Sequence, residues 1–154
     1  MARYINLLQR EMIFAACARQ NSITPIEEIW CVERMSVKVL KLGEVETTKA
    51  LGGTLKRMFN PETAGTQHLT FSMGYFAPGE GLKLHIHPES EEVYYVVRGE
   101  GIVHLGDEKD SLPIDPDTAI YIPPGQIHGV ENTGEDRLII CFFVAPGREK
   151  SVVP

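Results

Sequence analysis

The segment Gly79–Gly99 constrains the fold of this chain most strongly, because it holds two histidines and a carboxylate that a sheet would bring together. His85 and His87 are two residues apart, and side chains at that spacing point to the same face of a strand. Glu92 follows a break at Pro88 and opens a second apolar run. If the two runs pair, the carboxylate joins the two imidazoles. Such donors suit a divalent transition metal.

The same segment carries a family resemblance. It matches the first motif of the cupin family, G-x5-H-x-H-x4-E-x6-G, from Gly79 through His85, His87 and Glu92 to Gly99. Glu91 competes with Glu92 for the place of the carboxylate. The motif requires six residues between the carboxylate and the closing glycine, and Glu92 satisfies that spacing.

A second segment resembles the second cupin motif, G-x5-P-x-G-x2-H-x3-N. The matching positions are Pro123, Gly125, His128 and Asn132. The leading glycine of the motif is replaced by Asp117, which affects a turn before a strand and leaves the histidine in place. Either motif alone would be weak evidence, but the pair at these spacings is specific.

The resemblance implies an all-β fold, the double-stranded β-helix or jelly-roll barrel of cupins. The sequence agrees, because short apolar runs separated by Gly and Pro turns are typical of a β-sandwich or barrel. The expected strands include Val37–Leu40, Leu55–Phe59, Gln67–Ala77, Glu92–Arg98, Ile102–Leu105, Thr118–Ile122, Ile127–Asn132 and Arg137–Val144. Gly99-Glu100 fits a two-residue hairpin turn, and Gly106–Ser111 a charged loop.

The resemblance also implies one divalent transition metal ion per subunit, with Fe, Mn, Zn and Ni left open. Its predicted ligands are His85, His87, Glu92 and His128. Three neutral imidazoles and one carboxylate leave about two open positions on a six-coordinate ion. The alternative is that these polar residues only face solvent.

Other polar residues near the motifs have plainer interpretations. Tyr94 shares the inward parity of Glu92; core packing is favoured, and a role as a catalytic donor to bound substrate is the alternative. His68 and His104 are expected to be exposed or hydrogen-bonded rather than ligands. Lys83 and Arg98 would reach an anionic substrate only from the barrel mouth, and surface solvation is favoured for both.

Residues 1–34 differ from the rest of the chain. Apolar residues recur there at helical spacing, and Thr24-Pro25-Ile26-Glu27 has the form of a capping box with proline at the first helical position. We expect a short helical extension before a barrel of residues 35–154. It would pack on the barrel or on a partner, or it arises from an early start codon before Met35.

The composition of the chain limits the classes of binding partner that are expected. A chain of 154 residues is expected to form one barrel domain, and its net charge of −6 without a basic cluster argues against nucleic acid and anionic membranes. Three scattered cysteines, Cys17, Cys31 and Cys141, indicate reduced thiols in a cytoplasmic protein. Neither a secretory signal nor a membrane span is expected.

Two further expectations concern assembly and activity. Both faces of Leu138–Val144 are apolar, so one face would meet the barrel interior and the other a second subunit of a homodimer. The predicted metal site suits oxygenase, isomerase, lyase or decarboxylase chemistry on a small organic molecule. The alternative is a non-catalytic barrel that binds a sugar or an organic acid, since fold and ligands do not select a reaction.

Overall fold

The computed structural model describes residues 37–106, 110–147 and 151–154. The all-β prediction is confirmed, because strands dominate these residues and regular helix is confined to two short turns. The strands are β1 (Thr47–Ala50), β2 (Gly53–Phe59), β3 (Thr70–Phe76), β4 (Gly81–His85), β5 (Glu91–Arg98), β6 (Gly101–Leu105), β7 (Asp110–Ile114), β8 (Ala119–Ile122), β9 (His128–Glu131) and β10 (Leu138–Ala145). The helical extension predicted over residues 1–34 lies outside the described residues.

The strands form two antiparallel sheets. The larger sheet has the order β1-β2-β3-β10-β5-β8, and the smaller sheet has the order β4-β9-β6-β7. Neighbours in a sheet are often distant in sequence; β10, for example, pairs with both β3 and β5. Two facing sheets connected in this way form the jelly-roll barrel that the sequence predicts.

The core lies between the sheets and follows the period of two in each strand. Along β5, Glu92, Tyr94 and Val96 are buried, and along β10 Leu138, Ile140 and Phe142 are buried. The fully enclosed apolar side chains include Phe76, Tyr94, Val96, Val103, Leu138 and Ile140. Because polar Glu92 shares the inner face of β5 with these residues, the barrel interior holds a buried charge beside its apolar core.

The predicted hairpin at Gly99-Glu100 is wrong. Strand β5 pairs with β8 and β10, whereas β6 pairs with β7 and β9, so the chain crosses from one sheet to the other at this turn. Gly99 has φ +84°, and a Cβ there would lie 2.6 Å from the carbonyl oxygen of Arg137. Two strands joined at a glycine give the same local sequence pattern whether they pair with each other or belong to different sheets.

Three other local predictions differ from the structure. Val37–Leu40 forms no strand, and Val37 is 93% exposed, because no partner strand lies beside it among the described residues. Part of the predicted charged loop is instead strand β7, which pairs with β6 and holds Pro113. The predicted loop at Asn60-Pro61 begins helix α1 (Pro61–Ala64), whose first turn is capped by the Asn60 side chain.

No helix among residues 37–106, 110–147 and 151–154 has the length and apolar character needed to cross a membrane.

Candidate metal centre

His85 and His87 enter the barrel from the end of β4. His85 closes the strand and pairs directly with His128 of β9. Beyond it, Ile86 forms a single antiparallel bridge with Val152, and the carbonyl of His87 accepts a hydrogen bond of 2.8 Å from the Gly125 amide. The chain therefore stays extended through His87, and both imidazoles face inward, as their spacing predicts.

The other two side chains come from different sheets. Glu92 stands near the start of β5 in the larger sheet, and His128 opens β9 in the smaller sheet. Their side chains meet across the barrel, where His128 Nε2 lies 2.9 Å from Glu92 Oε2. The site therefore depends on how the two sheets face each other.

The structure brings together all four predicted ligands. One candidate donor atom from each of His85, His87, Glu92 and His128 lies within 4.8 Å of the others. All four residues are buried, with exposures of 2%, 8%, 4% and 0% respectively. The three Nε2 atoms converge on Glu92 Oε2 at 4.0 Å from His85, 3.4 Å from His87 and 2.9 Å from His128.

Two backbone carbonyls select the tautomers of the rings. His85 Nδ1 lies 2.9 Å from the carbonyl oxygen of Lys83, and His128 Nδ1 lies 2.8 Å from that of Gln126. A carbonyl only accepts, so each Nδ1 donates a proton to it. A neutral ring in this state carries its lone pair at Nε2, which is the atom that faces the cluster.

Burial favours the neutral form of His85 and the charged form of Glu92 persists beside it. Desolvation and the nearby His128 lower the pKa of His85 from 6.5 to about 4. Burial alone would raise the pKa of Glu92, but its close contacts with His128 and His87 more than offset this effect, so this pKa lies below its ordinary value. At neutral pH His85 is therefore a neutral imidazole and Glu92 a carboxylate.

This donor set fits a cation. With Nδ1 of His85 and of His128 donating to carbonyls, neutral rings present lone pairs to a carboxylate oxygen, an arrangement that is repulsive without a positive centre between them. A proton shared between His128 Nε2 and Glu92 would remove the repulsion between those two groups alone. A divalent ion accepts all the lone pairs at once, and imidazole with carboxylate is a common ligand set for Fe, Mn, Zn and Ni.

The remaining sequence candidates lie away from the cluster. Glu91 is exposed and accepts a hydrogen bond of 3.1 Å from the Tyr121 hydroxyl. His68 is exposed, and His104 Nε2 lies 3.2 Å from Glu131 Oε2 on the smaller sheet. Lys83 is exposed, and Arg98 pairs with Asp136 at 3.7 Å with most of its side chain in solvent.

Tyr94 lies in the core behind the cluster. It is fully buried, and its ring packs edge-on against Phe142 at 4.6 Å and against His128 at 5.9 Å. Its hydroxyl has no hydrogen-bond partner among the described residues. Burial, with a smaller contribution from the Glu92 charge, raises the pKa of Tyr94 well above its ordinary value. Its contacts are those of a packing residue.

A cavity of about 460 Å³ opens onto the cluster. His85, His87 and Glu92 line it, together with apolar side chains that include Leu55, Leu82 and Phe142. Arg57 also lines the cavity, and it was not recognised as a candidate from the sequence. Its signal was the alternation Gly53, Leu55, Arg57 along β2, which gives the arginine the same parity as two buried residues, although Arg57 itself is exposed.

Comparison with known proteins agrees with the fold and the motifs. Residues 72–144 match the model of the cupin domain family. The polyketide synthase CurC of Streptomyces cyaneus is 30% identical over 115 residues, which cover 75% of this chain and 73% of CurC. The chain belongs to the cupin family. The resemblance predicted from the two motifs of this cupin is thereby confirmed.

One further relative by sequence and one solved structure are similar to this cupin. The oxalate-binding protein of Thermotoga maritima is 29% identical to this cupin over 120 residues, which cover 78% of this chain and 85% of that protein. The crystal structure of the polyketide cyclase RemF of Streptomyces resistomycificus superposes with a TM-score of 0.65 at 20% identity, over 75% of this chain and 84% of that one. At that identity the second likeness concerns the fold alone.

Proposed function

We propose that this cupin is a metal-dependent enzyme acting on a small organic molecule, with one divalent transition metal ion per subunit held by His85, His87, Glu92 and His128. The observation that carries the proposal is the convergence of three Nε2 atoms on one buried carboxylate oxygen. The ion remains one of Fe, Mn, Zn or Ni.

The cavity supports an enzyme rather than a closed structural site. His128 is fully enclosed, whereas His85, His87 and Glu92 line a space of about 460 Å³, which suits a small molecule. A bound divalent ion supplies Lewis-acid stabilisation of negative charge on an oxygen atom of the substrate. Glu92 offsets one of its two positive charges, so a net positive charge remains at the cavity floor.

The protein contributes orientation and a partly apolar environment. The Lys83 and Gln126 carbonyls fix the rings of His85 and His128 before any ligand binds. Apolar side chains that include Leu55, Leu82 and Phe142 line the cavity with the ligands, and such surroundings strengthen electrostatic interactions. Oxygenase, isomerase, lyase and decarboxylase chemistry all use such a site. Relatives named for polyketide synthesis and for oxalate binding support an oxygen-rich organic substrate.

Elemental analysis of the purified protein tests the ligands. We expect His87→Ala and His128→Ala each to lower bound metal by at least about tenfold, because each removes a predicted ligand. Loss of a residue that only hydrogen-bonds to a ligand commonly lowers metal affinity by about that factor. His104→Ala is the matched control, since His104 pairs with Glu131 away from the cluster and should leave the metal content unchanged. Full occupancy in His87→Ala or His128→Ala would remove that residue from the set.

A turnover assay tests the enzyme proposal. The metal-loaded protein is incubated with a panel of small acids, phenols and polyketide-like enols, and oxygen consumption is followed together with loss of substrate. Turnover that disappears in His128→Ala supports an enzyme, and consumption of oxygen would select an oxygenase. Tight retention of a ligand with no turnover by any panel member would instead favour the non-catalytic binding barrel.

The proposal also includes a homodimer located in the cytoplasm. The outer face of the larger sheet is apolar across adjacent strands: Met73 pairs with Cys141, and Cys141 pairs with Tyr95. Phe71 and Phe143 stack at 4.8 Å beside them. A second subunit on this face would cover these side chains. The proposed location rests on the sequence, whose three scattered cysteines are too few for a disulfide framework.

A further inference from the structure

Arg57 places a positive charge in the cavity that opens onto the metal centre. Among the described residues that line this cavity, it is the one lysine or arginine. Arg57 has the same parity in β2 as Gly53 and Leu55, which are buried. Arg57 is itself exposed, so it lines the side of the cavity that is open to solvent. Lys83 and Arg98, the cations considered from sequence, are exposed but do not line this cavity.

A β-bulge follows directly after Arg57 in β2. Arg57 pairs with Ser72 of β3, but the next pair is Phe59 with Phe71, so β2 has one extra residue at Met58. Two residues of β2 therefore oppose Ser72, and the parity of the strand changes after them. Bulges redirect side chains in this way and are common beside functional sites. Here Met58 is buried at the bulge, whereas Arg57 beside it is exposed and lines the open side of the cavity. Phe59 turns outward and stacks on Phe71.

The guanidinium group has no protein partner. Among the described residues, Arg57 makes neither a hydrogen bond nor an ion pair, although the Glu62 side chain lines the same cavity. Arg98, by contrast, pairs with Asp136 at 3.7 Å. The hydroxyl of Ser72, opposite Arg57 and also lining the cavity, is likewise without a hydrogen-bond partner among those residues, although Ser72 is only 7% exposed. Two donors thus face the cavity together.

We infer that Arg57 and Ser72 form a subsite for a carboxylate group of the substrate, and that Arg57 makes this cupin specific for organic acids. A planar guanidinium binds a carboxylate through two parallel hydrogen bonds. The apolar walls at Leu55, Leu82 and Phe142 would hold the carbon skeleton between this subsite and the metal centre. This inference names the substrate class for the function proposed above and rests on it.

Binding of paired probes tests the subsite. The full chain, loaded with Mn²⁺, is titrated calorimetrically with benzoate, phenylacetate, succinate and glutarate, and with the amide or monoamide of each acid. We expect wild type to bind at least one acid about tenfold or more tightly than its amide, a difference typical of a hydrogen bond to a charged group. Arg57→Gln should abolish this difference by weakening the acid, while amide binding changes less than about twofold.

Two variants control the result. Arg57→Lys keeps the charge but loses the planar fork and should retain part of the preference. Arg98→Gln removes a surface arginine and should behave as wild type. Metal content is measured in each variant, because Arg57→Gln should leave it unchanged.

The outcomes separate the subsite from the proposed function. Acid preference that survives in Arg57→Gln, or that wild type never shows, overturns the subsite and leaves the metal centre standing. If wild type holds no metal, the titrations are repeated on the protein treated with EDTA. Acid binding that depends on Arg57 there would support the subsite while the metal-dependent function fails, and its absence would overturn both.

Discussion

His85 and His128 are oriented by their own strands. Each ring donates its Nδ1 proton to the carbonyl of the residue two positions earlier, Lys83 for one and Gln126 for the other. The same local geometry therefore occurs on β4 and at the start of β9. At the scale of single residues, each Nε2 lone pair is directed at Glu92 before any ion binds, so little reorganisation is needed on binding.

Glu92 and Glu91 provide a matched pair for the carboxylate assignment. We expect Glu92→Gln to reduce bound metal, because the amide removes the charge at the point where the imidazoles converge. Glu91→Gln should leave the metal content unchanged, since Glu91 is exposed and contacts Tyr121. Elemental analysis of both variants measures this. The reverse result would move the carboxylate ligand to Glu91.

The lowered pKa of His85 predicts a pH dependence of stability in the metal-free protein. As pH falls below 6.5 the unfolded chain takes up a proton at this residue, whereas folded His85 does so only near its pKa of about 4. The unfolded state then binds more protons, so the free energy of unfolding should fall by about 3 kcal/mol across this window. The lowered pKa of Glu92 adds a further loss at more acidic pH.

Denaturant unfolding of EDTA-treated protein at several pH values between 7 and 4 measures this effect. His85→Asn is the comparison, because it removes the titrating ring while keeping a polar side chain of similar size. Its unfolding free energy should vary less with pH than that of wild type. Equal pH dependence in the two proteins would show that His85 does not couple to folding.

At the scale of elements, the close approach of β4 to β9 fixes the separation of His85 and His128. Gly81 begins β4 opposite Glu131, and a Cβ at Gly81 would lie 1.8 Å from the carbonyl oxygen of Val130. That contact is with backbone, so a side chain would be accommodated only by moving one strand away from the other.

Gly81→Ala should therefore destabilise the protein by about 2 kcal/mol or more, as overpacking commonly does, and should also weaken metal binding through the displaced β4. Gly43→Ala is the control, because nothing lies within 4 Å of a Cβ there. Thermal unfolding with and without metal measures both effects. Wild-type stability in Gly81→Ala would show that β4 and β9 separate without cost.

At the scale of the whole molecule, the two faces of the larger sheet have different roles. The inner face carries Glu92 and the cavity wall, while the outer face leaves Tyr95 at 38% exposed beside Cys141. If this outer face is the proposed dimer interface, a charged side chain introduced in place of Tyr95 would have to lose its hydration on association, which is unfavourable.

Tyr95→Lys should shift the sedimentation coefficient at micromolar concentration from that of a dimer to that of a monomer. Leu112→Lys is the matched control, since Leu112 is 44% exposed but lies on β7 of the smaller sheet. It should sediment as wild type. Monomeric wild-type protein at that concentration would remove the dimer proposal.

Local sequence determined much of this protein. The period of two in a strand put His85 and His87 on one face, which follows from geometry within a few residues. The resemblance to the first cupin motif selected Glu92 over Glu91. The alternating runs likewise indicated the strands around Tyr94 and along β10. These features need no knowledge of which strands are neighbours.

Pairing between distant strands decided the rest. Gly99-Glu100 looked like a hairpin, but β5 finds its partners in β8 and β10, and only the assembled sheets show that the chain changes sheet there. Arg57 follows the alternation of Gly53 and Leu55 along β2, but only the assembled sheets show that it borders the cavity above the metal cluster. Register and sheet membership depend on contacts far apart in the chain, so they emerge only when the barrel closes.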